Sequence, residues 1–275
     1  MTRRLPIIVL VGLLVLFLGG CLESGKDTAP GDLDEARTAM MKRDYLEAEK
    51  NFERYLIRNP DGPDRWEVWN SLVDLALSVR SDRKAAVELM EAMLIEYEGQ
   101  PARMRVIGGR LAELYRTARK YERAITLWSS IMDDSEADPV ERARACRHLA
   151  TVYLRRLEFE LAKESLNYCL DLAIPDTVRA DCLYDLAQTH MGMGDMDRAI
   201  SYFRSVLALA NIAESRRTLT VFMLADALDQ KGEDAEALKL FMSIDETYPN
   251  PRVVEQRINF LLTKKKKTTQ ASAHR

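Results

Sequence analysis

The sequence predicts an all-α protein: a solenoid of about six helical hairpins closed by a C-terminal helix. Three observations carry that reading. Alanines recur at Ala48, Ala86, Ala124, Ala162, Ala199 and Ala237, spaced by 38, 38, 38, 37 and 38 residues. A large apolar side chain stands four residues after each (Phe52, Met90, Trp128, Leu166, Phe203, Phe241), and Tyr55, Met93, Ile131, Cys169, Val206 and Ile244 stand seven after. Offsets of four and seven share one helix face, so each alanine marks an amphipathic helix. A second stripe precedes the anchors: Cys146, Leu149, Ala150 and Tyr153; Leu183, Leu186, Ala187 and His190; Val221, Leu224, Ala225 and Leu228. Each stripe ends at a short polar elbow. Gly194 and Gly232 sit where the first helix must stop and a positive φ is useful. The small alanine lets the two helices of a hairpin approach closely, and its larger neighbours fill the gap to the next hairpin.

Residues 1–20 read as a signal peptide. Arg3 and Arg4 precede an apolar run from Leu5 to Leu18. That run makes about 21 Å of helix, short of the ~30 Å hydrocarbon core of a bilayer. Leu18-Gly19-Gly20-Cys21 resembles the lipobox of bacterial lipoproteins, which implies cleavage before Cys21 and a diacylglycerol on its thiol. Pro6 stands where a twin-arginine signal wants an aromatic, so ordinary secretion is expected. Residues 21–32 form the lipidated cysteine and a flexible tether. Its polar, turn-rich stretch Leu22–Gly31 spans ~17 Å as a coil. By the lipoprotein sorting rule of enteric bacteria, Leu22 in place of aspartate points to the outer membrane, facing the periplasm.

The repeat array occupies residues 33–250. Asn250-Pro251 offers a helix start, and Val253, Val254, Ile258, Leu261 and Leu262 make one stripe, a capping helix over 251–263. Residues 264–275, opening with Lys264–Lys267, read as a basic disordered tail. Counting the whole chain, 40 Lys and Arg face 43 Asp and Glu. Without Arg3 and Arg4 the balance is 38 to 43, a net charge of −5. Nucleic-acid binders are more often basic, so that class is disfavoured.

The hairpins resemble the tetratricopeptide repeat. Its first-helix series matches at Gly108, Leu111, Ala112 and Tyr115 and at Cys146, Leu149, Ala150 and Tyr153; its second-helix small and aromatic positions match at Ala124 and Trp128, Ala199 and Phe203, Ala237 and Phe241. The closing proline matches at Pro60 and Pro249. The resemblance implies a right-handed superhelix that binds proteins or peptides in its concave groove. Departures are the longer period, the poor fit of the second repeat around Val79–Arg83, and Arg119 and Leu157 in place of the elbow glycine.

No catalytic set emerges. His148, His190 and His274 are the only histidines, and Cys146 and His148, two apart, do not share a helix face. No cofactor, metal, small-molecule substrate or enzymatic activity is expected. Cys146, Cys169 and Cys182 fall at packing positions, as small buried hydrophobes; an oxidising envelope would also permit one disulfide among them.

The remaining chemistry is recognition. By analogy with tetratricopeptide arrays, the groove is expected to carry Glu113 and Arg116, then Arg144, Arg147, Thr151 and Arg155, then Asp181, Tyr184 and Gln188, then Phe222, Asp226 and Asp229. It would shift from basic to acidic, with Tyr184 and Phe222 as anchors and Arg116, Arg144, Arg147 and Arg155 gripping an acidic partner. The competing expectation is that these charges pair across repeats. Reversing Arg147 and Arg155 is the direct test, expected to leave melting unchanged. The asparagine-based grip on a terminal carboxylate is disfavoured, because its positions hold Glu113, Thr151, Gln188 and Asp226. The functional expectation is a membrane-anchored scaffold for assembly of an envelope complex, an outer-membrane barrel or secretin and pilus machinery. The alternative is an adaptor that docks cell-wall enzymes.

Overall fold

The computed structural model describes residues 31–244 and 246–273, with side chains to Lys264. The expected signal peptide, Cys21 and nearly all of the tether lie outside the described residues. Among those described the structure is all helix and turn: α1 (Asp32–Met41), α2 (Tyr45–Arg58), α3 (Arg65–Asp74), α4 (Arg83–Glu96), α5 (Pro101–Thr117), α6 (Tyr121–Asp133), α7 (Pro139–Arg155), α8 (Phe159–Asp171), α9 (Asp176–Gly192), α10 (Met196–Ala208), α11 (Glu214–Lys231), α12 (Asp234–Ser243) and α13 (Pro251–Ala273). The chain divides after Ala86 into two compact units.

The expected hairpins are present. In the first unit α1 packs on α2, and α3 on α2 in turn. In the second, α5/α6, α7/α8, α9/α10 and α11/α12 are antiparallel pairs, each second helix packs on the next first helix, and α13 covers α12. The anchors are what hold this together. All six repeat alanines are fully buried, and every residue four and seven positions after them is buried too. The second unit's largest apolar cluster runs from Ala180 on α9 through Phe203, Leu224 and Phe241 to Val254 and Leu261 on α13.

Six elbows close the hairpins by one device. The residue five before each anchor alanine has a positive φ: Arg43, Ser81, Arg119, Leu157, Gly194 and Gly232. The next amide reaches back to a carbonyl of the last turn, as in Lys120 N–H to Tyr115 (2.8 Å) and Glu158 N–H to Tyr153 (2.9 Å). This six-to-one bond satisfies a carbonyl that the helix end leaves without a partner. Asp44, Asp82 and Asp195 add a carboxylate cap to the following helix, accepting from Glu47 (3.2 Å), Ala85 (3.0 Å) and Arg198 (3.2 Å) amides.

The poor fit of the second repeat has a local cause. Leu75–Val79 is a π-helical turn in which the Arg80 amide bonds to Leu75 (3.1 Å), and the elbow bond spans one residue more, Asp82 to Ala76 (2.8 Å). One extra residue is wound into the helix, so Leu72 and Val73 precede their counterparts Leu111 and Ala112 by 39 positions rather than 38. The single 37-residue spacing arises in a loop instead: 172–175 is one residue shorter than 134–138 and 209–213.

Two expectations are corrected. A disordered tail from residue 264 is not found, because α13 continues to Ala273. Lysine is a good helix former, and Lys264 is held by Asp234 (2.6 Å) and Asp229 (3.7 Å). Nor are all three cysteines simply small hydrophobes. Cys169 of α8 and Cys182 of α9 are joined by a disulfide, with Cα atoms 6.3 Å apart. Among the described residues Cys146 is the free thiol; it is buried, and burial pushes its pKa up to about 12.

Candidate partner-binding face

The six groove residues expected from the sequence all fall in the second unit, on the first helices of its hairpins. Gly109 on α5 lets this face form. A side chain there would come within 3.2 Å of the Trp128 ring. Trp128 of α6 therefore lies against α5 and stacks on His148 of α7, with centroids 4.3 Å apart and planes 7° from parallel. Burial holds the His148 imidazole below its ordinary pKa, opposed by the Glu113 carboxylate and reinforced by Arg147, Arg116 and Arg144.

Most of the charges are already paired. Arg116 holds Glu113 of its own helix through two hydrogen bonds, the Nε one at 2.7 Å, and this pairing pulls the Glu113 carboxyl down. Arg147 of α7 bridges to α9, with Nε 2.6 Å from Asp185 and Nη1 2.7 Å from Asp181. Asp181 also takes Arg216 of α11 at 2.6 Å. Burial raises the Asp185 carboxyl against the pull of Arg147. Toward the C-terminal end Arg257 of α13 binds Asp226 and sits 3.8 Å from Asp229, while Lys264 neutralises Asp229 and Asp234. The expected slide from basic to acidic is thus largely cancelled by pairs that cross from one hairpin to the next.

Two arginines escape. Arg144 and Arg155 are exposed and have no ion-pair partner among the described residues, and exposed Thr151 lies between them along α7. The two aromatic anchors do not behave alike. Tyr184 is 5% exposed, edge-on to Phe203 (5.6 Å) and under the Arg216 guanidinium (4.5 Å), and burial lifts its hydroxyl to about 12. It is a packing residue. Phe222 is half-buried and stacks on Tyr248 at 4.6 Å.

Sequence reasoning missed the partners: Arg216, Tyr248, Arg257 and Lys264. The signal was present as opposite charges 31 to 35 residues apart on successive first helices, as in Asp181 with Arg216 and Asp226 with Arg257. A separate cleft of about 490 Å³ opens in the second unit between the Glu91–Ile95 stretch of α4 and α6. Leu94, Leu111 and Leu127 line it, and Arg123 bonds to Glu91 (3.1 Å) at its edge. Among the described residues no group of His, Cys, Asp or Glu could hold a metal ion, and no helix is long and apolar enough to cross a membrane.

Successive antiparallel hairpins, each closed on a buried alanine and laid against the next, define a helical-repeat interaction scaffold. The tetratricopeptide-repeat family model matches residues 33–101 and 184–250. The chain is a tetratricopeptide-repeat protein. Solved structures show the same fold at low identity. The apo form of the quorum sensor NprR from B. thuringiensis is 18% identical with a TM-score of 0.57, over 86% of this chain and 69% of that one. The C-terminal part of a repeat-containing protein from Cytophaga hutchinsonii is 15% identical at 0.57, over 77% of each. MamA from Desulfovibrio magneticus RS-1 is 15% identical at 0.52, over 66% of this chain and 94% of that one. No curated protein matches in sequence.

Proposed function

We propose that this protein is a lipid-anchored scaffold of the bacterial envelope. It would gather partners for assembly of an outer-membrane barrel or of secretin and pilus machinery. The observation that carries the recognition reading is the face of α7. Its neighbours' charges are cancelled in pairs, whereas Arg144, Thr151 and Arg155 stand exposed on one helix face. Two unneutralised guanidiniums on a rigid helix suit carboxylates of an acidic protein segment, each able to accept a bidentate pair. The anchor reading rests on Leu18-Gly19-Gly20-Cys21 and the apolar run before it. The Cys169–Cys182 disulfide is consistent with an oxidising compartment outside the cytosol.

The test is crosslinking of the native protein in its own envelope, with the captured partners identified by mass spectrometry. Barrels, secretins or their assembly factors support the proposal, and cell-wall synthases or hydrolases move it to an adaptor. Joint reversal of Arg144 and Arg155 to glutamate should abolish the capture while the melting temperature stays within a degree or two. Arg147 is not suitable for this purpose. A glutamate there would face Asp181 and Asp185, and melting itself would change.

A further inference from the structure

The two ends of the first hairpin differ in character. At the end where α1 begins, Asp32 pairs with Arg54 (2.8 Å) and Arg58 (3.1 Å), and Glu35 with Arg54 (3.1 Å). That edge is polar and internally neutralised. At the elbow end Met41 is 79% exposed, Leu46 67% and Val79 42%. Leu46 and Val79 line one apolar cleft together with Leu75 and Tyr45, which brings the elbow of α1/α2 alongside the π-helical turn after α3. Beside these residues along the chain, Lys42, Arg43 and Arg83 are exposed and have no ion-pair partner among the described residues, while the two charges that line the cleft, Glu49 and Arg80, pair with each other (2.7 Å). Asp44 and Asp82, the acids at these two elbows, are occupied in capping the helices that follow.

We infer that this elbow edge of the first unit docks on the surface of an anionic lipid bilayer, with Met41, Leu46 and Val79 entering the interface and Lys42, Arg43 and Arg83 meeting headgroup phosphates. Exposed apolar side chains rimmed by unpaired cations are the composition that lies in a membrane interface. The inference rests on the lipid anchor proposed at Cys21, and the distances agree with it. Ten residues, 22–31, separate Cys21 from α1 and can reach at most ~33 Å, and α1 is ~15 Å long. A chain anchored at Cys21 can therefore run the length of α1 and present the elbow, rather than the polar end, to the same bilayer.

The experiment uses the native full-length lipidated protein in vesicles of phosphatidylethanolamine and phosphatidylglycerol that carry a photoactivatable diazirine acyl chain. After irradiation the peptides are mapped by mass spectrometry. Lipid adducts are expected on the peptides holding Met41, Leu46 and Val79. They should fall about tenfold in the double variant Met41→Gln with Leu46→Gln, since each lost insertion of an aliphatic side chain weakens partitioning. Both side chains are exposed, so melting should not change. An N-terminal peptide that carries its diacyl mass, without adducts at the elbow, overturns the docking surface and leaves the anchor standing. An N-terminal peptide with no lipid overturns the anchor reading itself and this inference with it.

Discussion

The two helices of each hairpin follow different rules. The second helix is periodic in sequence and uniform in structure: small residue, large apolar residue four on, another seven on, all buried. The first helix is uniform only on the side that packs. Its other side carries Arg105, Arg116, Arg147, Asp181, Arg216 or Asp226, and the pairing differs from hairpin to hairpin: Arg116 pairs within its own helix, Arg147 and Arg216 converge on Asp181, and Asp226 takes Arg257. The contrast teaches that stability in this array is repeated, whereas specificity is written once per hairpin. Packing needs only the neighbour next along the chain. Pairing on the open face, Arg116 with Glu113 of its own helix apart, needs a particular side chain roughly one repeat away.

That division can be broken at its strongest point by Phe203→Ala. Phe203 is fully buried beneath Tyr184, and its loss should cost about 3–5 kcal/mol in urea unfolding. A result near zero would mean the second helices do not carry the core. Next comes the covalent tie between hairpins: Cys169→Ser with Cys182→Ser should lower stability by about 3 kcal/mol, since the bridge closes a loop of 13 residues. Wild-type protein treated with a strong reductant should melt with the variant.

The open face is probed by comparing two arginines. Arg147→Ala strips two carboxylates of a common partner and should cost about 1–2 kcal/mol, whereas Arg144→Ala should change unfolding by less than ~0.5 kcal/mol. Equal effects would erase the distinction between paired and free charges. Protonation gives a further reading. Burial lowers the pKa of both His148 and His190 in the folded chain, and Asp195, 3.3 Å from His190, opposes this in part. The unfolded chain then binds more protons on acidification, so stability is full above about pH 6.5 and is lost as pH falls below it. His148→Gln should flatten that slope if the ring is a source of it. The smallest effect belongs to the elbows: Leu157→Gly relieves a positive φ and should gain about 0.5–1 kcal/mol.

The hairpins, their anchors and the capping helix were legible because burial leaves a spacing in the sequence. Arg43, Ser81, Arg119 and Leu157 were harder. A backbone bond, not a side chain, defines the elbow, so the turn survives without glycine and its chemistry disappears from the residue names. On the groove face, position was legible and state was not. Arg144 and Arg147 look alike in sequence; only the approach of Asp181 and Asp185 on the next first helix separates a free cation from a neutralised one. Tyr184 was misjudged for a related reason. Its register suits the groove, but Phe203 and Arg216 close over it. The disulfide could not be chosen among three cysteines until α8 and α9 were placed side by side.

The π-helical turn at Leu75–Val79 bears on how such a chain can change over time. An added codon in most helices rotates everything downstream by 100°, exposing apolar residues and burying charged ones. Here the surplus residue is wound into a wider ring just before the elbow, and Ser81, Ala86 and Met90 keep the places that Arg119, Ala124 and Trp128 hold one hairpin later. The last turn of a first helix is thus a site where this gene can gain a codon without a slip of frame in the fold.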